Sequence, residues 1–156
     1  MLSDALWACR GMTVNVEIKN LPWEPGFDTG EHLAGQVADL VVSTGRASDV
    51  VVSSFWLPTL TAVRQARPEV ATGLLVASRL DPAEATGSAV ERGLSALYPH
   101  IDLVSAPLMD RSHRAGLAVA AWTVNDREQL ERAKVLAVDT VITDDVEFAL
   151  AILGSG

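Results

Sequence analysis

The sequence predicts a parallel α/β fold, and three observations carry that expectation. Strand-like and helix-like runs alternate six times along the 156 residues. The clearer strand runs, such as Val50-Val51-Val52 and Gly73-Leu74-Leu75-Val76-Ala77, are apolar on both faces, as strands covered by helices on each side must be. No glycine-rich phosphate loop follows a strand, which argues against a nucleotide-binding open sheet. Two architectures stay open on these grounds, a doubly wound sheet and part of a (β/α)8 barrel. A whole barrel takes about 250 residues, so this chain is roughly two strand–helix units short of one.

Taken in order, Leu2–Arg10 reads as the end of a helix stopped at Gly11. A strand over Thr13–Lys19 follows. Asn20–Asp28, with two prolines and a glycine, reads as a loop. Thr29 is in place to cap a helix running to about Thr44, with Leu33, Val37, Leu40 and Val41 at helical spacing. Asp49–Phe55 is a second strand, and Leu57–Ala66 a helix stopped by Pro68. Gly73–Ala77 is a third strand. Pro82–Gly93 is mixed, with a helix expected over Ala89–Leu94. Ala96–His100 reads as a fourth strand and Ile101–Leu103 as a turn. Ala106–Ala115 is a helix ended at Gly116, and Leu117–Val124 a fifth strand. Asn125 or Asp126 caps a helix over Arg127–Val135. Thr140–Thr143 is the sixth strand and Asp145–Leu153 the last helix.

Composition narrows the function classes. Hydrophobic residues make up 49%, enough for a substantial core in a single domain. Twelve Lys and Arg against twenty Asp and Glu give a formal charge of −8. That disfavours nucleic acid and anionic membrane surfaces as partners. The single cysteine, Cys9, excludes an internal disulfide and is expected to be a small buried hydrophobe. His32, His100 and His113 show no metal-ligand spacing. No basic-then-apolar start is visible and no apolar run reaches the ~20 residues of a membrane span, which points to a cytoplasmic protein.

The strand Thr13–Lys19 carries the chemistry. Val14, Val16 and Ile18 fall on one face, Asn15, Glu17 and Lys19 on the other. Two residues of strand rise place Glu17 and Lys19 about 6.6 Å apart on the same side, within reach of one small site. An edge strand with a solvated ion pair gives the same pattern. Trp7, Trp23 and Trp56 read as packing or loop-anchoring residues, and His100 as a surface residue.

Several segments together resemble the glycerophosphodiester phosphodiesterase family, a metal-dependent (β/α)8 barrel. Val14-Asn15-Val16-Glu17-Ile18-Lys19 is similar to its third-strand motif. Ser53-Ser54-Phe55, followed by Leu60 and Pro68, resembles the fourth strand and the helix after it. Ala96-Leu97-Tyr98-Pro99-His100 resembles the sixth strand. Ala115–Val119 with Trp122-Thr123-Val124-Asn125-Asp126 resembles the seventh, and Val138–Asp144 the eighth. The ordered combination carries the resemblance, since each motif alone is weak.

The resemblance implies a TIM-type barrel portion running from the third strand to the eighth, and hydrolysis of glycerophosphodiesters to glycerol 3-phosphate and an alcohol. It implies Glu17 as a ligand of a divalent metal (Ca2+ or Mg2+), Lys19 as a catalytic charge beside the phosphate, and Trp122 against the glycerol end. Ser54 and Phe55 would line the pocket at the strand rim. The family's first two strands, with their His-Arg-Gly segment, acidic pair and second histidine, would precede residue 1. No histidine here stands in a matching place, so the chain alone is expected to be inactive. Tyr98, Ala137 and Val146 depart from the residues usual in the family. Asp144 and Asp145 are expected to cap the last helix. Two other readings remain: a non-enzymatic half-barrel that self-associates or binds a partner chain through open sheet edges, and an aldolase-like enzyme using Lys19 as a Schiff base. A glutamate so close to Lys19 would keep the amine charged, which counts against the second.

Overall fold

In the computed structural model, which describes residues 1–154, strands and helices alternate through the chain. They group into two compact units, Met1–Leu74 and Leu75–Gly156. The first unit holds α1 (Leu2–Ala8), β1 (Val14–Glu17), α2 (His32–Ser43), β2 (Val50–Ser54), α3 (Leu57–Ala66) and most of β3 (Ala71–Val76). β1 pairs with β2 and β2 with β3, both parallel. Val14 and Val16 on β1 and Val50 and Val52 on β2 share the helix-facing side of this sheet. With Ile18 they pack against Ala34, Val37, Ala38 and Val41 of α2 and Val63 of α3.

The second unit holds α4 (Pro82–Glu91), β4 (Ala96–Pro99), a 3-10 turn at Ile101–Leu103, α5 (Ala106–Arg114), β5 (Ala118–Ala121), α6 (Arg127–Val135), β6 (Thr140–Val141) and α7 (Val146–Leu153). β4 pairs with β5 and β5 with β6, again parallel. Its core joins Val119 and Ala121 of β5 to Met109, Leu130, Ala133, Ala149 and Ile152 from the helices.

The element order matches the sequence expectation, with four informative differences. α2 starts at His32, with Glu31 at its N-cap in a left-handed conformation (φ 53°). The Asp28 carboxylate, and not Thr29, accepts from the first turn, bonding the N–H of Leu33 at 3.0 Å. Leu33 itself faces solvent, 45% exposed. α4 begins at Pro82, seven residues before the expected start, because Asp81 caps it and Ala85, Thr86 and Ala89 are buried. Leu94 falls outside that helix. Cys9 is only half-buried, so the expected core role is not what the structure shows. Trp7 and Trp23 are 64% and 74% exposed; neither is a packing residue, and Arg10 stacks its guanidinium 3.8 Å over the Trp7 ring. No helix among the described residues is long and apolar enough to cross a membrane.

Candidate active site

β1 splits its side chains between two environments. Val14 and Val16 pack on the first core and Ile18 is buried. Asn15 and Glu17 are exposed on the opposite face, and Lys19, just past the strand, is exposed as well. Among the described residues neither Glu17 nor Lys19 has an ion-pair partner. The Glu17–Lys19 pair that an ordinary edge strand would form is not made.

Register decides which serine shares that face. Glu17 pairs with Ser53, and Ser53 with Gly73. Residues side by side on neighbouring strands point the same way, so Ser53 lies on the Glu17 face. Ser54 lies on the other side, where its Oγ donates to the Ile18 carbonyl at 2.8 Å and accepts from the Trp56 N–H at 3.1 Å. Ser54 is therefore buried behind the strand. Ser53 is fully buried too, and its hydroxyl has no hydrogen-bond partner among the described residues. Counting parity from Val50 finds Ser53 in the sequence; the double serine hid it. Phe55 follows the strand end and is half-buried.

The loop after β1 is closed by one side chain. Asn20, 4% exposed, donates from Nδ2 to the Asp28 carbonyl at 2.9 Å, and its Oδ1 accepts from the Asp28 N–H at 2.8 Å. Two turns inside the loop are bonded from Glu24 N–H to Leu21 O and from Phe27 N–H to Glu24 O. Phe27 meets Trp56 edge-on, ring centres 6.3 Å apart. The Asp28 carboxylate then serves α2. The His32 ring beside it, helped by the N–H groups of Leu33 and Gly30, holds that carboxyl down to about 2. The same hydrogen bond raises the His32 imidazole above its ordinary value.

Trp122 belongs to the second unit, just past β5. Its indole N–H donates to the Tyr98 carbonyl at 2.6 Å. The His100 ring stands edge-on to it at 5.1 Å, and the two residues are bridged as parallel partners at the ends of β4 and β5. His100 Nδ1 also accepts from the Asp102 N–H at 3.3 Å. The sequence reading of His100 as a surface residue missed this contact, although both residues close adjacent strands. Burial pushes the Tyr98 phenol above its usual range. Asp145 caps α7 through the Phe148 N–H at 2.9 Å. Asp144 does not; it accepts from Asn125 Nδ2 at 2.7 Å.

Glu17, Lys19, Ser54 and Phe55 thus lie in the first unit and Trp122 in the second. A cleft of about 400 Å3 lies elsewhere in the first unit, lined by Asp4, Leu6, Trp7, Arg10 and Arg46 among others, and none of these candidates borders it. No three His, Cys, Asp or Glu side chains among the described residues converge where they could hold a metal ion. A hard cation needs six or so oxygens, and Glu17 offers one carboxylate. The residues present do not by themselves make a cation site.

Parallel strands alternating with helices, with a polar strand end beside a structured loop, are arranged as in a portion of a (β/α) barrel. The model of the glycerophosphoryl diester phosphodiesterase family matches residues 1–148, and the chain belongs to that family. A glycerophosphodiester phosphodiesterase of Caldanaerobacter subterraneus subsp. tengcongensis is 26% identical over 148 residues, 94% of this chain and 58% of that protein. A crystal structure from Silicibacter pomeroyi DSS-3, assigned as a glycerophosphoryl diester phosphodiesterase, superposes with a TM-score of 0.85 at 24% identity, over 97% of this chain and 55% of that one. An Oleispira antarctica phosphodiesterase, solved in complex with the product sn-glycerol-3-phosphate, superposes with a TM-score of 0.71 at 20% identity, over 93% of this chain and 56% of that one. The fold is that of an incomplete TIM-type barrel, and the chain spans between half and two thirds of the length of these relatives.

Proposed function

We propose that this chain supplies one part of a phosphodiesterase site that hydrolyses glycerophosphodiesters to glycerol 3-phosphate and an alcohol. The observation that carries the reading is the unpaired Glu17 and Lys19 on the polar face of β1, in a chain matched by the family over residues 1–148. The Lys19 ammonium serves to stabilise negative charge growing on phosphate oxygens, which is where a fixed cation lowers a barrier most. Glu17 is one oxygen donor toward a divalent cation whose other donors this chain does not supply. Phe55 offers apolar surface to the carbon skeleton of the substrate. Ser54 acts from behind, holding the main chain of Ile18 and Trp56 at the strand ends.

Two measurements test this. The pure 156-residue protein shows no hydrolysis of glycerophosphodiesters above the buffer rate, with or without added Ca2+ or Mg2+; robust turnover overturns the view that the site is partial. Glycerol 3-phosphate, titrated at millimolar concentrations and followed by NMR, shifts the Lys19 and Glu17 amides, and Lys19→Met weakens that binding at least fivefold. Unmoved amides in the wild type overturn the phosphate role of Lys19.

A second reading rests on apolar exposure at the sheet margins. Trp7 and Met12 precede β1 in the chain, and Val146 and Leu150 lie on α7 after β6, all more than 60% exposed. Such margins suit self-association through strand edges. A monomer at all concentrations in sedimentation would exclude it.

A further inference from the structure

The cleft of about 400 Å3 in the first unit borders none of the candidate catalytic residues. Its volume falls within the roughly 300–1,000 Å3 usual for small-ligand sites. One side of it is a face of α1 that carries Ser3 and Trp7 a turn apart, continued by Arg10 just past the helix. The other side is the C-terminal end of α2, at Thr44, and the Arg46 that follows. Leu6, buried between them, contributes apolar surface. The cleft therefore lies at the N-terminal ends of β1 and β2, opposite the end of β1 where Glu17 stands.

The two arginines on this cleft differ. Arg46 is buried and already engaged: its guanidinium donates to the carbonyls of Leu6, Cys9 and Met12 and faces Asp49. It thereby covers the carbonyl end of α1, which would otherwise repel an anion. The Thr44 hydroxyl does the same for α2, donating to the carbonyls of Leu40 and Val41. Arg10 is exposed, lies 3.8 Å over the Trp7 ring and meets no carboxylate among the described residues. Asp4, the acid on this lining, is turned to the Met1 amine at 2.8 Å. An open cation is thus left beside apolar surface in a chain whose formal charge is −8.

From this arrangement we propose that the cleft binds a small aromatic carboxylate, with Arg10 and Trp7 as the recognising pair. A guanidinium offers N–H groups that a carboxylate accepts two at a time. Its place over the indole holds that donor edge, so less side-chain freedom is lost on binding. The ring of the ligand lies against Trp7 and Leu6, where buried aromatic surface adds to the ion pair. The site is separate from the phosphodiesterase reading and does not depend on it.

Cinnamate is the probe. Acetate supplies the charge without the ring, and cinnamyl alcohol the ring without the charge. The Trp7 indole N–H, assigned in NMR by its loss in Trp7→Leu, and the Leu6 methyls shift saturably with cinnamate. The indoles of Trp23 and Trp122 stay in place. Acetate and cinnamyl alcohol bind more weakly, by about fivefold or more. Arg10→Gln weakens cinnamate binding about tenfold, read at Leu6, and Arg10→Lys restores part of it. Trp7→Leu weakens it about fivefold. Amide exchange along α1 slows when the probe is bound, because the ligand bridges α1 and the end of α2; this reading needs no variant. Signals at Trp7 and Leu6 that stay still, or that follow cinnamyl alcohol as closely as cinnamate, overturn the proposal. So does a Trp7 signal that moves with protein concentration when no probe is present, since a second copy of the chain then fills the cleft.

Discussion

In each unit of the molecule an asparagine a few residues past a strand ties down a neighbouring loop, and the two are built differently. Asn20 is buried and closes a single loop by gripping both main-chain groups of Asp28. Asn125 is exposed and ties two loops together, accepting from the Thr143 hydroxyl and the Asp144 N–H while donating to the Asp144 carboxylate. Each unit also holds one non-glycine residue in the left-handed region at φ 53°, Glu31 in the first and Ala137 in the second. The Glu31 carboxylate accepts from the buried Thr59 hydroxyl at 2.6 Å, so its conformation is tied to α3. Ala137 has no side-chain group that could offset the strain. The first unit uses buried polar contacts to hold an exposed loop still. The second uses solvated contacts and tolerates a strained alanine.

The largest effect expected from breaking this contrast is at Asn20. Asn20→Ala leaves the Asp28 N–H without its partner and the Asp28 carbonyl with the Glu31 N–H alone, at a cost of about 2 kcal/mol, read from urea unfolding. Asn20→Asp keeps the acceptor for the Asp28 N–H but turns a carboxylate oxygen toward the Asp28 carbonyl in a buried place, so it costs at least as much as alanine. A loss below that of Asn125→Ala would show that burial does not set the value of the clamp. Ala137→Gly comes next and has the opposite sign, stabilising by about 1 kcal/mol because glycine enters the left-handed region freely. Glu31→Gly is destabilising, since it relieves the same strain but loses the Thr59 bond. Asn125→Ala costs about 0.5–1 kcal/mol, its groups being free to bond water.

The pH dependence is the smallest effect and the sharpest in sign. Asp28 is held at about 2, so its contribution is present above the unfolded carboxyl value near 4 and is lost as pH falls through 2. His32 is raised, so its contribution is complete below the unfolded imidazole value near 6.5 and is lost as pH rises through the raised folded value. The contact is fully in place between those two limits. NMR titration of His32 reads it directly: Asp28→Asn returns the imidazole toward its ordinary value, and an unchanged titration would remove Asp28 as the cause. Asp139 belongs to the second unit. Burial pushes its carboxyl up, but the bonds from the Val119 N–H and from His113 outweigh that and leave it lowered.

Much of this was legible in the sequence, and particular residues show why the rest was not. The two faces of β1 follow from strict alternation, and Leu57–Ala66 from a proline-started run with a proline after it. Asp126 caps α6 as expected, through the Gln129 N–H. The start of α2 was misplaced because its capping carboxylate, Asp28, lies five residues before the N–H it serves, outside the usual capping spacing. α4 contains Thr86, Gly87 and Ser88, which favour helix poorly. Burial of Ala85, Thr86 and Ala89 overrides that preference, and packing cannot be read from local composition. The motif points to Ser54 and not Ser53 because it gives the residue type at a rim and leaves its parity open. Only pairing with β1 and β3 settles which hydroxyl faces Glu17. Ala137 departs from the residue usual in the family, and its positive φ, which glycine adopts freely, gives that departure a physical meaning.

The Arg46 guanidinium donates to the carbonyls of Leu6, Cys9 and Met12 and pairs with Asp49 at 3.3 Å. α1 has seven residues, too few to persist as a helix without tertiary support. α1 is therefore held to the first unit by tertiary contacts, the Arg46 bonds together with the buried Leu6 side chain and Leu2 packed on the same core. The exchange of its amide hydrogens with solvent should be set by one shared opening event and not by independent fraying at each residue.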